Sequence, residues 1–213
     1  MNITHVDAEL IDTDKLQAIF NKQRELMGKY HDIELRSGLL QTEDCPVNLN
    51  DKRGQARIKD FAWRVTEELG EAIDAIDEGD QEHFKEELVD GLHFLTELTI
   101  LAGYDAADIV PCSNGMDKLD VINNRAKDNC VGMVLEEFVS NHVRLLGMTC
   151  NCLKNKPWKQ SMMITDEKNF YEHLKKTWWN YISMLCKYMT TSEIYLTYVK
   201  KNEVNKFRQR SNY

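Results

Sequence analysis

Two matched acidic pairs, Glu68-x-x-Glu71 and Glu87-x-x-Asp90, constrain this chain most, because each lies inside a run whose apolar residues recur at helical spacing. Side chains three positions apart share one face of a helix. Packing two such helices side by side therefore brings four carboxylates to a common point, where they repel one another unless cations intervene. A ligand set made only of oxygen suits Mg2+ or Mn2+. In both runs the acidic face merges into the apolar one instead of opposing it. Glu71 is flanked by Leu69, Ala72 and Ile73, and Glu87 and Asp90 are followed by His93, Phe94 and Glu97. A merely solvated acidic face would stand opposite the core.

The rest of the chain supplies little but further helices. With 3 Pro and 10 Gly in 213 residues, and long stretches of Glu, Lys, Leu, Ala and Met, helix is favoured nearly everywhere and strands have little support. The expectation is an all-α protein with residues 1–213 forming a single domain. Helices are predicted over about residues 14–30, 58–78, 81–102, 118–129, 133–153, 166–189 and 192–206, with the polar segment 35–57 as a loop. Gly79-Asp80 should end the second helix and cap the third.

A net charge of −8 argues against a nucleic-acid polymer as partner, since such surfaces need basic patches. The charge is unevenly placed. Lys200, Lys201, Lys206, Arg208 and Arg210 against Glu203 give the last fourteen residues +4, leaving −12 on the remainder. Six cysteines without a C-x-x-C pair, and no apolar leader or spanning segment, point to a reduced cytoplasmic compartment (host cytoplasm for a viral protein), core thiols and no membrane association.

The order Glu-x-x-Glu, a gap of fifteen residues, then Glu-x-x-Asp resembles the all-α nucleoside triphosphate pyrophosphohydrolases, the superfamily of the MazG enzymes and the dimeric dUTPases. Within it, Glu87-Leu88-Val89-Asp90-Gly91-Leu92-His93-Phe94 is similar to the second acidic motif of the dimeric dUTPases. Residues 198–213, with Lys201, Asn202, Asn205, Arg208 and Gln209, resemble their Lys-Asn-x-x-Asn-x-x-Arg-Gln signature, which general MazG-type enzymes lack. The resemblance implies a MazG-like, dimeric dUTPase-like helical bundle acting as a homodimer. It implies two or more Mg2+ ions on Glu68, Glu71, Glu87 and Asp90, with Mn2+ as a substitute, and Glu68 orienting the attacking water. It further implies Gln23, Trp63 and His93 at the pyrimidine, and Lys201, Asn202, Asn205 and Arg208 at the phosphates. The expected reaction takes dUTP, dCTP or both to the monophosphate and pyrophosphate, as in the phage dCTPase-dUTPase branch, whose chains end on this motif. Two positions depart from the family pattern: Met27 stands where cellular relatives have Asn, and Asn212 where Gly is expected.

Three other readings follow from the same residues. Asp90-x-x-His93 is a carboxylate and histidine step of the ferritin-like di-iron proteins, though these use it on two helices. A MazG-type enzyme of other base preference would share the acidic pairs. A helical interaction module would use them only as surface.

Overall fold

The computed structural model describes residues 14–37, 45–129, 132–156 and 158–210. Among these there are eight helices and no strand: α1 (Lys15–Ser37), α2 (Lys52–Asp77), α3 (Gln81–Leu101), α4 (Ala106–Ile109), α5 (Lys118–Asn129), α6 (Leu135–Asn151), α7 (Glu167–Tyr188) and α8 (Thr191–Arg210). The all-α expectation holds. No helix of the described residues is long and apolar enough to cross a membrane.

Local chemistry sets the ends of these helices, in three places beyond what apolar spacing suggested. Asp51 caps α2, its side chain accepting from the backbone N–H groups of Arg53 and Gly54, so the helix starts within the stretch read as loop. At the far end of α1, Arg36 Nε donates to Asp32 O and Ser37 Oγ to Glu34 O, giving partners to carbonyls that a helix end leaves open. Before α8, Thr190 and Glu193 cap each other reciprocally, Thr190 N–H donating to Glu193 Oε2 (2.7 Å) and Glu193 N–H to Thr190 Oγ1 (3.2 Å). The hinge between α2 and α3 is as expected: Gly79 takes φ +81° and Asp80 accepts from His83 N–H.

Helix α3 is central, packing against α1, α2, α7 and α8. It is accordingly apolar on most of its circumference, with Leu88, Val89, Leu92, Leu95 and Leu98 all buried. Its buried hydroxyls are paired. Thr96 and Thr99 donate to the carbonyls of Leu92 and Leu95, and Trp178 Nε1 donates to Thr99 Oγ1 at 2.7 Å. One cluster of buried residues runs from Leu16, Ile19 and Phe20 of α1 through Val65 and Leu69 of α2 to Trp178 and Tyr181 of α7 and Tyr198 of α8. The thiols are less uniform than core residues would be, for Cys45 and Cys112 are exposed while Cys152 is buried.

Candidate active site

The tight turn at Gly79 makes α2 and α3 an antiparallel hairpin, so residues equidistant from it lie at the same level. Glu71 and Glu87 each stand eight positions from Gly79, and Glu68 and Asp90 each stand eleven. The four carboxylates thus form two rungs, roughly two helical turns or more from the hinge. Carboxylate oxygens of Glu68, Glu71 and Glu87 all lie within 4.8 Å of one another. Gly91 permits this approach. A Cβ there would overlap the Tyr181 hydroxyl and touch Glu68 Cβ at 3.4 Å. The hydroxyl it makes room for donates to Leu88 O at 2.8 Å.

The crowding is visible in the protonation of Glu68. Burial, then the hydrogen bond to Glu87, then the negative charges of Glu87, Asp90 and Glu71 push its pKa up to about 8. Asp90 is also raised, chiefly by burial, but Lys201 opposes the rise with an ion pair of 2.7 Å. Lys201 lies 3.4 Å from Glu86 as well. The donors brought together are carboxylate oxygens alone, held against their own repulsion, and this set fits a hard divalent cation. Glu68, Glu71 and Glu87 would hold it, with Asp90 adjacent and shared with Lys201.

Beside the acidic rungs lies a cavity of about 660 Å3, within the usual range for small-molecule sites. Glu68, Arg57 and Phe61 of α2 line it, with Asp90, His93, Phe94 and Glu97 of α3, Gln23 and Tyr30 of α1, and Asn205, Arg208 and Gln209 of α8. Gln23 is 2% exposed and fully engaged on its oxygen side. Its Oε1 accepts from the Tyr198 hydroxyl (2.7 Å) and from His93 Nδ1 (3.0 Å), while its Nε2 donates to Glu97 Oε2 (2.9 Å). His93 therefore carries its proton on Nδ1. It stacks on Tyr198, ring centroids 3.7 Å apart, and burial together with the charge of Lys201 lowers its pKa to about 3. Glu97 also accepts from Tyr30, and burial lifts its pKa to about 7 against the pull of Tyr30 and Arg57.

The residues expected at the site divide into two groups. Glu68, Glu71, Glu87 and Asp90 share the hairpin, and Gln23, His93, Asn205 and Arg208 line the cavity with Glu68 and Asp90. Trp63 does not join them. It is 61% exposed, donates its indole N–H to Glu67, and lies two positions from Phe61, which carries it to the far side of the helix. Phe61 and Phe94, ring centroids 6.0 Å apart, take the place expected for it on the cavity wall. Asn202 is fully buried and ties α8 to α1 by donating to Lys22 O at 3.3 Å. Lys201 turns to the acidic residues of α3, and Lys206 is 6% exposed and paired with Glu25 and Glu203.

Arg57, Tyr30 and Glu97 enter the site without having been expected there. Arg57 pairs with Glu34, lies 3.9 Å from Glu97 Oε1 and sits over the Phe61 ring at 4.3 Å. Of the three, Glu97 carried a usable signal, standing four positions after His93 on an otherwise apolar helix.

No curated protein and no solved structure matches the chain. A family model described as dUTPase matches residues 67–213. That span takes in both acidic pairs and the carboxy-terminal motif, and leaves α1 and the start of α2 outside. With well over half of the chain matched, and the matched part all-α, the chain belongs to the dimeric dUTPase family, whose members are hydrolases acting on dUTP.

Proposed function

We propose that the protein is a Mg2+-dependent deoxynucleoside triphosphate pyrophosphohydrolase that converts dUTP and dCTP to the monophosphate and pyrophosphate. The observation that carries this reading is one cavity lined by Glu68 and Asp90 of the acidic hairpin, a cationic fork and an aromatic and amide wall. Each part answers one portion of a pyrimidine nucleotide. The acidic rungs take metal-bound phosphate, Arg208 and Asn205 take phosphate oxygens, and Phe61, Phe94, Gln23 and Glu97 offer a place for the base.

Bound divalent metal would supply what carboxylates cannot, bridging them to phosphate oxygens and lowering the pKa of a coordinated water. The chain's own groups do the rest. Glu68, its pKa raised to about 8 without metal, would give up its proton when a cation binds, and it is the group we assign to orienting the attacking water. The planar fork of Arg208 suits bidentate contact with a leaving pyrophosphate. Lys201 holds Asp90 and Glu86, neutralising part of the acidic face while leaving the Glu68, Glu71 and Glu87 group to the metal.

The continuous core of the described residues, running from Leu16 to Val199, supports reading the chain as one domain. A homodimer is part of the proposal, carried by the family resemblance; the exposed Trp63 fits a position that a second copy covers. Light scattering at micromolar concentration should give twice the 24.9 kDa chain mass. The di-iron reading is the weaker one, since the clustered ligand atoms are the carboxylates of Glu68, Glu71 and Glu87 without His93.

The base preference is tested by incubating the protein with each deoxynucleoside triphosphate and Mg2+. Comparable turnover of dUTP and dCTP, with dTTP and purine nucleotides at least about 10-fold poorer, is expected where one missing or extra polar contact decides. Strict use of dUTP alone, or equal use of dATP, would contradict the proposal.

A further inference from the structure

The cavity wall formed by α1 and α3 contains a buried carboxyl that none of the phosphate or metal roles uses. Glu97 is 3% exposed and lines the cavity. Its two oxygens differ. Oε2 accepts from Gln23 Nε2 and from the Tyr30 hydroxyl, whereas Oε1 has no hydrogen-bond partner and only the Arg57 guanidinium at 3.9 Å. A buried acceptor left without a donor costs free energy that a ligand N–H can recover.

Gln23 cannot supply that acceptor to a ligand. Its Oε1 already takes two donors, Tyr198 and His93, so both lone pairs are used. Turning the amide over would set its oxygen against the ionised Glu97 Oε2 and would require the other tautomer of His93 and a turned Tyr198 hydroxyl. The amide is thus fixed as a donor, with one N–H to Glu97 and one remaining. Arg57 Nε is likewise a buried donor with no partner. In its ionised form Glu97 offers Oε1 as an acceptor on this wall, among donors on Gln23 and Arg57.

We propose that Glu97 is a specificity-determining residue whose Oε1 accepts the ring-edge N–H of the pyrimidine, N3–H of uracil or the 4-amino group of cytosine, while Gln23 acts only as a donor. The assignment rests on the reading of this cavity as the nucleotide site. It accounts for the acceptance of both bases, since each presents an N–H donor beside an acceptor, O4 of uracil or N3 of cytosine, and one carboxylate can meet either with a small shift of the ring. It also places discrimination on a group outside the acidic rungs and the carboxy-terminal motif.

The test compares dUTP with N3-methyl-dUTP, which lacks the donor, by kcat/KM in the presence of Mg2+. The parent should disfavour the methylated nucleotide by at least about 10²-fold, because a site built to hydrogen-bond a donor rejects an analogue without it. In Glu97→Ala that penalty should shrink below about 3-fold, through loss of dUTP turnover and not through gain on the analogue. Glu97→Gln is the variant that keeps the volume. Its oxygen must stay where Tyr30 and Gln23 donate, so its NH2 replaces Oε1 and faces the N3–H; dUTP turnover should fall at least about 10-fold and the methyl penalty should vanish. A penalty of parental size in both variants, or none in the parent, would overturn the assignment while leaving dUTP hydrolysis intact. Failure of the parent to cleave dUTP or dCTP at all would overturn the nucleotide reading itself, and this assignment with it.

Discussion

Lys201 Nζ lies 2.7 Å from Asp90 Oδ2, joining the carboxy-terminal helix to the acidic hairpin through one residue from each of the two most informative motifs. The contrast of a +4 tail with a −12 body is therefore resolved inside the fold. Lys206 meets Glu25 at 2.9 Å, and Lys200 and Lys201 both approach Glu86. With Tyr198, Asn202 and Lys206 all buried, α8 is a structural element whose last turns carry Arg208 and Gln209 to the cavity. Removing residues after 199, an obvious way to probe the tail from sequence alone, would strip part of the body as well.

Removal of Lys201 should expose the cost it offsets. Lys201→Ala is expected to lower the metal-free melting temperature by a few degrees, on the order of 1 kcal/mol for a pair whose side chains are 19% and 21% exposed. Asp90→Asn should recover most of that loss in the double variant. Additive losses in a double-mutant cycle would show that the pair is not coupled.

The carboxylate cluster makes a pH-dependent prediction. The pKa of Glu68 is raised from about 4.5 in the unfolded chain to about 8 in the fold, so its contribution is fully present below pH 4.5 and is lost as pH rises through 8. In the absence of divalent ions the melting temperature should decline across that window, and Glu68→Gln should flatten the decline. Mg2+ binding at pH 7 should release about one proton, read by calorimetry in buffers of different ionisation enthalpy, and the release should disappear above about pH 9. Glu71→Gln, which removes a repelling charge, should keep or raise the metal-free melting temperature and lose the Mg2+ stabilisation.

His142 predicts the opposite behaviour on the acid side. Both of its ring nitrogens are buried without a partner, its ring meets the edge or face of Tyr181 at 4.8 Å, and burial lowers its pKa to about 3. A folded pKa below the unfolded 6.5 means that its contribution is present above pH 6.5 and is lost as pH falls toward 3. His142→Leu should move the acid unfolding midpoint to lower pH without altering dUTP turnover. An unchanged midpoint would mean that other groups, such as His93, set the acid limit.

Arg208 carries the phosphate end of the account. Arg208→Ala should reduce kcat/KM by about 10²-fold, the usual scale for losing a charge-stabilising group, with the melting temperature little changed. Arg208→Lys should recover only part, because an ammonium cannot make the planar two-point contact. Parental activity in the alanine variant would remove α8 from catalysis.

Much of this architecture could be read before any coordinates. The acidic pairs, the Gly79-Asp80 hinge and the core residues of α2 and α3 follow from spacing and turn chemistry alone. What escaped was what depends on contacts between distant segments. Arg57 lies in a polar stretch whose helix depends on the cap at Asp51, and Tyr30 and Glu97 meet only once α1 lies against α3. The family resemblance points to Trp63, while its angle from Phe61 turns it outward. The partners that hold the Gln23 amide, Tyr198, His93 and Glu97, come from other helices and carry no local signal.

The most direct test of the central claim is the identity of the products from dUTP with and without Mg2+. The account predicts dUMP and pyrophosphate in equimolar amounts, activity abolished by chelation and restored by Mg2+, and no turnover by Glu68→Gln. Formation of dUDP and inorganic phosphate, or activity that survives both chelation and the Glu68 substitution, would contradict it.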